Sequence, residues 1–104
     1  MTPLQRKTYK LLRRVPRGRV TTYKALAAAL DTKAYRAIGQ FMRTNPYAPT
    51  VPCHRVVASN GTIGGFMGKS SGKVIVKKIQ MLQAEGIKVI GKRIANFERI
   101  LFTF

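Results

Sequence analysis

Thr22-Tyr23-Lys24-Ala25-Leu26-Ala27-Ala28-Ala29-Leu30-Asp31-Thr32-Lys33-Ala34-Tyr35-Arg36-Ala37-Ile38-Gly39-Gln40-Phe41-Met42-Arg43-Thr44 carries two short amphipathic segments across a tight break. In the first, Tyr23, Leu26, Ala27 and Leu30 follow the i, i+3, i+4, i+7 spacing of a helix with one apolar face, and Thr21 or Thr22 supplies a hydroxyl cap. Asp31-Thr32 interrupts it. A further helix is expected from near Lys33, with Ala34, Ala37, Ile38 and Phe41 repeating the spacing. Two short helices across such a break read as a helix-turn-helix over about 22–44. At 100° per residue, Lys33, Arg36, Gln40 and Arg43 share one sector of the second helix, about 130° from its apolar stripe. One face suits a core; the other suits phosphates or a groove, although a solvated basic surface would look the same.

Working outward, Thr2-Pro3-Leu4-Gln5 is a helix start, and Leu4, Thr8, Leu11, Leu12 and Val15 continue an inward face until Pro16-Arg17-Gly18 stops it. Beyond the helix-turn-helix, Asn45-Pro46 ends the second helix. The segment 52–57, Pro52-Cys53-His54-Arg55-Val56-Val57, reads as extended because of its β-branched ends. Ser59-Asn60-Gly61 is a turn, and 58–72 is a glycine-rich wing around Phe66 and Met67. A helix follows from about Lys73 to Glu85 with Ile75, Ile79 and Leu82 inward and Gly86 as its stop. Ile87 to Ile90 and Ile100 to Phe104 are strand-like or helical tail segments whose apolar residues complete the core. The expected fold is mainly α with short β segments, a single winged helix-turn-helix domain over 1–104.

Twenty Lys and Arg against three acids, a formal charge of +17, point to a polyanionic partner; nucleic acid comes first and a membrane surface second. No apolar run is long enough to span a bilayer and no signal peptide is recognisable, so a cytoplasmic protein is expected. A single cysteine excludes an internal disulfide, a cysteine zinc cluster and an internal resolving thiol. That cysteine, Cys53, adjoins the only histidine, His54. A thiol with an ordinary pKa of about 8.5 attacks poorly unless a base or cations favour the thiolate, and His54, Arg55 and the overall positive field supply both. The plainer alternative is a small buried hydrophobe. Glu85 is unexpected in the last turn of a helix, where a carboxylate opposes the macrodipole. Either it orients His54, leaving the other ring nitrogen to take the thiol proton through a water, or it pairs at the surface with a lysine such as Lys88. In an extended segment Cys53 and His54 would point to opposite faces, which favours the water.

Pro52-Cys53-His54-Arg55-Val56-Val57 resembles the active-site signature of the O6-alkylguanine-DNA alkyltransferases. The resemblance continues through Pro16 to Tyr23, Arg36-Ala37-Ile38-Gly39, Met42 to Pro46, Gly61 with Gly64-Gly65, and Leu82 to Gly86. It implies the family's C-terminal catalytic domain, a minor-groove winged helix-turn-helix that rotates a damaged base out of duplex DNA. In that role Arg36 fills the gap, Tyr23 assists rotation and contacts the flipped guanine, and Asn45 holds the loop before the active site. Arg43 joins the DNA surface. Cys53 attacks the alkyl carbon after His54, a water and Glu85 generate the thiolate, while the carbonyls of Cys53 and Val56 read the guanine amine. The product is an S-alkylcysteine, so each molecule reacts once. The resemblance also implies a monomer acting on double-stranded DNA with O6-alkylguanine, without metal or small-molecule cofactor and without the family's usual N-terminal domain. Phe66-Met67 depart from the usual Tyr-Ser near the guanine oxygen. Other readings are a non-catalytic lesion-binding module, whose family members replace the cysteine, a basic winged-helix binder with a structural cysteine, and a cysteine hydrolase, for which no oxyanion hole is recognisable.

Overall fold

The computed structural model describes residues 1–65 and 72–104. Helix α1 spans Pro3–Leu12, with the Thr2 hydroxyl accepting from Gln5 N at 3.1 Å and proline at the first position, as the sequence predicts. Its inward face differs from expectation. Thr8, Tyr9 and Leu12 are buried, whereas Leu4 and Leu11 are only half-buried. Tyr9 earns its place by donating its hydroxyl to Phe41 O at 2.7 Å, which ties α1 to the helix-turn-helix.

Strand β1 (Thr21–Thr22) leads directly into α2 (Tyr23–Ala29), and Thr22 caps α2 by accepting from Ala25 N at 3.0 Å. Helix α3 is Tyr35–Arg43, two residues later than the sequence places it. The reason is local. Asp31 adopts a left-handed conformation at φ 51°, and the Thr32 hydroxyl accepts from Ala34 N at 3.1 Å, so Lys33 belongs to the turn. Ile38 and Met42 face the core, while Arg36, Gln40 and Arg43 are exposed together with Lys33. The basic sector therefore points outward.

The largest correction concerns the segment 52–57. Cys53–Arg55 forms a single 3₁₀ turn behind Pro52, and only Val56–Val57 (β2) is extended. Arg55 N donates to Pro52 O at 2.9 Å, closing the turn, while the two β-branched valines pair in parallel with Thr21 and Thr22. The chain from Thr21 into α2 and the chain leaving Cys53 thus share one small sheet, extended on the β1 side by the Val20–Leu101 bridge.

Helix α4 runs Lys73–Ala84 with Glu85 as its C-cap, and Gly86, at φ 85°, reverses the chain as predicted. Ile75 and Leu82 are buried, Ile79 is half-buried, and Lys78 is fully buried. Strands β3 (Val89–Ile90) and β4 (Arg93–Ile94) form an antiparallel hairpin, followed by α5 (Phe97–Ile100). The hairpin joins the wing through a Thr62–Arg93 bridge and Ile94 N to Gly61 O at 2.8 Å. Ile87 is buried, but Ile90 at the hairpin tip is 61% exposed and does not complete the core. Phe66 and Met67, with the rest of 66–71 in the expected wing, lie outside the described residues. No helix among the described residues is long and apolar enough to cross a membrane.

Candidate active site and nucleic-acid interface

The free Cys53 is buried at the start of the 3₁₀ turn. Because three successive residues curl in that turn, His54 and Arg55 both reach the end of α4. His54 Nε2 lies 2.8 Å from Glu85 Oε2. Arg55 donates Nε to Glu85 Oε1 at 2.9 Å and an NH2 hydrogen to Oε2 at 2.8 Å, a two-pronged pair. A further NH1 hydrogen goes to Val15 O at 2.8 Å. Glu85 is thus no surface partner of Lys88. It is the hub of a largely enclosed Arg55–Glu85–His54 triad in which His54 is buried and the Glu85 and Arg55 side chains are 8% and 17% exposed.

Glycine and arginine set the hub from outside. Gly18 sits at φ 86° beside the Glu85 carbonyl, a backbone conformation in which a side chain would be strained, and Arg17 donates to Ala84 O at 2.6 Å. The turn that follows α1 is thereby pinned to the end of α4.

The electrostatics follow from this arrangement. Burial alone disfavours the Glu85 carboxylate, but hydrogen bonds from Arg55 and His54 outweigh it and hold the carboxyl below its ordinary value. Burial lowers His54 below its ordinary value despite the opposing pull of Glu85, so the ring is neutral near pH 7. With Nε2 donating to the carboxylate, Nδ1 carries the free lone pair; it is buried and has no hydrogen-bond partner among the described residues. A neutral imidazole with an oriented tautomer is what a proton acceptor requires.

Tyr23, half-buried at the first position of α2, has its phenol pushed up by burial and by the neighbouring Cys53 sulfur as a negative charge. Val56 lies at the sheet end of the same turn, and its carbonyl accepts from Lys78 Nζ at 2.8 Å. Asn45 braces the loop between α3 and the 3₁₀ turn: Nδ2 donates to Val51 O at 2.8 Å, and Oδ1 accepts from Tyr47 N at 2.9 Å. Asn45→Ala is expected to cost about 1 kcal/mol in urea unfolding, because Val51 O keeps only Cys53 N as a donor and Tyr47 N loses its side-chain acceptor. Asn45→Asp, which keeps the acceptor but not the donor, should fall between; equal stability of all three proteins would deny Asn45 this bracing role. Arg36 and Arg43 stand on the exposed side of α3, apart from the triad.

Sequence reasoning missed two members of this site. Arg55 was read only as a nearby cation, yet it makes the two-pronged contact. Lys78 went unnoticed, although it donates to the carbonyls of Val56 at 2.8 Å, Gly65 at 2.9 Å and Ile63, joining β2 to the wing. Its ammonium is held down at about 8 by burial, against the upward pull of Cys53.

A basic outward helix on a helix-turn-helix, with short strands joining it to a wing, defines a helix-turn-helix DNA-binding domain. Residues 3–87 match the model for the 6-O-methylguanine DNA methyltransferase DNA-binding domain, and the chain belongs to that family. Among curated relatives, it is 48% identical over 89 residues to the methylated-DNA–protein-cysteine methyltransferase of Thermococcus kodakarensis, covering 85% of this chain and 47% of the relative. The chain spans about half the length of that relative. The crystal structure of the O6-methylguanine-DNA methyltransferase from Pyrococcus kodakaraensis superposes with a TM-score of 0.70 at 46% identity, over 84% of this chain and 48% of the other. S. pombe Atl1, in complex with damaged DNA containing O6-carboxymethylguanine, superposes with a TM-score of 0.84 at 25% identity, over 100% of this chain and 98% of Atl1.

Proposed function

We propose that this chain is a catalytic alkyl acceptor that binds duplex DNA, rotates an O6-alkylguanine out of the stack and transfers the alkyl group to Cys53 in a single turnover. The observation that carries the proposal is the juxtaposition of Cys53 with a neutral His54 oriented by Glu85. His54 Nδ1 takes the thiol proton through a water. The sulfur then forms a bond to the alkyl carbon as the carbon–O6 bond breaks, and the bonding pair stays with the guanine. The resulting thioether has no good leaving group, so the protein is consumed.

Arg36 and Arg43 project from the exposed face of α3, the first to fill the gap left by the base and the second to meet phosphate. Tyr23 lines the approach to Cys53 and contacts the flipped guanine. The Val56 carbonyl retains a second lone pair beyond its Lys78 bond, with which it accepts from the guanine amine together with the Cys53 carbonyl. Phe66 and Met67 are proposed to border the alkyl group. Flipping costs a few kcal/mol, which the basic face and the Arg36 wedge must offset.

The test is incubation with duplex DNA carrying a labelled methyl on guanine O6. Label should move to the protein in wild type and stay on DNA with Cys53→Ala; transfer by Cys53→Ala would reject the assignment. Arg36→Ala is expected to slow repair of duplex much more than reaction with free O6-benzylguanine, measured as single-turnover rates. Similar losses with both substrates would argue against the wedge. A second reading, lesion binding without transfer, is favoured by the superposition on Atl1 over the entire chain. In that case the lesion-bearing duplex binds tightly while label never reaches the protein.

A further inference from the structure

Helix α1 carries a charge pattern that the site does not use. Arg6, Lys7, Lys10, Arg13 and Arg14 are all exposed, and Arg13, at the C-cap, continues the helical turn at φ −61°, ψ −20°. At 100° per residue they fall in one stripe, centred about 150° from the buried side formed by Thr8, Tyr9 and Leu12. Tyr9 turns that buried side toward α3 through its bond to Phe41 O. The basic sector of α3 lies in turn opposite its own buried Ile38 and Met42. Each helix therefore presents its core side to the shared interior, and the two basic faces diverge. No acid neutralises the α1 stripe: among the described residues the ion pairs all involve Glu85. The same five cations rim two grooves, Arg6, Lys10 and Arg13 beside Met1, Tyr9 and Tyr47, and Lys7, Lys10 and Arg14 beside Leu11 and Leu30.

We infer that the exposed α1 stripe is a second binding face for the phosphate backbone of duplex DNA, engaging a second segment while α3 holds the first. A cationic stripe without acids suits a polyphosphate backbone, and the exposed apolar side chains beside it, Met1 and Tyr47, are confined to one flank. A protein with a field of this sign gathers DNA around itself, so a second duplex is the polyanion most available once the first is bound. Handing over between segments then speeds the search for rare lesions by a molecule that reacts once. The inference takes the DNA-binding reading of α3 as given, and it does not depend on alkyl transfer.

The test is release from a short labelled duplex, followed by stopped flow, with undamaged unlabelled duplex as the chase. For wild type the release rate should rise in proportion to chase concentration, because the incoming duplex docks on α1 before the first leaves. For the triple variant Lys7→Gln, Lys10→Gln, Arg13→Gln the rate should be flat at the wild-type value extrapolated to zero chase. Its affinity for one short duplex and the salt dependence of that affinity should be unchanged. Three results overturn the inference: a flat wild-type rate; a chase dependence that survives in a variant with unaltered thermal melting; or a fall of about 0.9 in the log–log salt slope per removed charge on a single duplex, which would put α1 and α3 on the same molecule. Acceleration by an RNA hairpin but not by duplex DNA would also overturn it, assigning the face to RNA. Failure to bind the labelled duplex at all would overturn the reading of both faces, whereas loss of the chase dependence alone strikes only the second.

Discussion

Glu85→Gln is expected to slow alkyl transfer by about 10²- to 10⁴-fold, the range that a positioned acid–base partner supplies. The substitution preserves shape but removes the charge that balances both His54 and Arg55, and it turns one of the two accepting oxygens into a donor. Without it, the His54 imidazolium formed on taking the thiol proton would sit beside the Arg55 guanidinium with no counter-charge. A rate deficit that narrows with rising pH is the signature of lost base catalysis. The same change should cost roughly 3 kcal/mol of stability, because it strands the largely buried Arg55. Since the Glu85 carboxyl ionises below its ordinary value when folded, its stabilisation is complete above that ordinary value and is lost as pH falls through the lowered one. The stability gap between wild type and variant should therefore close in acid. A single-turnover assay with a labelled duplex from pH 6 to 9, beside urea unfolding, checks both statements; a pH-independent rate deficit would leave Glu85 with only a structural role.

The helix-turn-helix was legible because its signals are local: a hydroxyl cap at Thr22, apolar spacing through Leu26 and Leu30, and a polar break at Asp31-Thr32. The outward basic sector of α3 followed from the same spacing. What the sequence reading misjudged was decided by partners distant in the chain. Cys53 to Arg55 has strand-like flanks, but Arg55 makes its strongest contacts with Glu85, thirty residues away, and a 3₁₀ turn lets it reach them while Val56–Val57 keeps its pairing with β1. Tyr9 lies further inward than Leu4 or Leu11, and its hydroxyl donates to Phe41 O on a helix thirty-two residues away, a partner that spacing alone does not reveal. Glu85 was noticed through its conflict with the helix dipole, and the resolution of that conflict is the cation pair that overrides the dipole. Lys78 had a readable signal as well. It lies in the same sector of α4 as Ile75 and Leu82, and a lysine on an inward stripe demands a buried set of acceptors.

Those acceptors make Lys78→Met the other change of large effect. Its ammonium is fully buried and holds the carbonyls of Val56, Ile63 and Gly65, so it crosslinks the strand leaving Cys53 to the wing. Burial of the cation carries a cost, visible in the lowering of its pKa from 10.5 to about 8, which corresponds to about 3 kcal/mol. Methionine removes that cost but strips a donor from each carbonyl, at about 1–3 kcal/mol apiece, and the loss is expected to win at neutral pH. The pH dependence separates the two terms. Between about pH 8 and 10.5 the unfolded wild-type chain binds a proton at Lys78 that the folded chain has released, so this residue makes wild-type stability rise with pH across that window. The methionine variant has no such group. Urea unfolding of both proteins at pH 7.5, 9 and 10.5 should therefore show the gap between them widening by about 3 kcal/mol. A gap that stays level or narrows would mean that the ammonium keeps its proton in the folded protein, and the neutral amine would then play no part in holding the wing to β2.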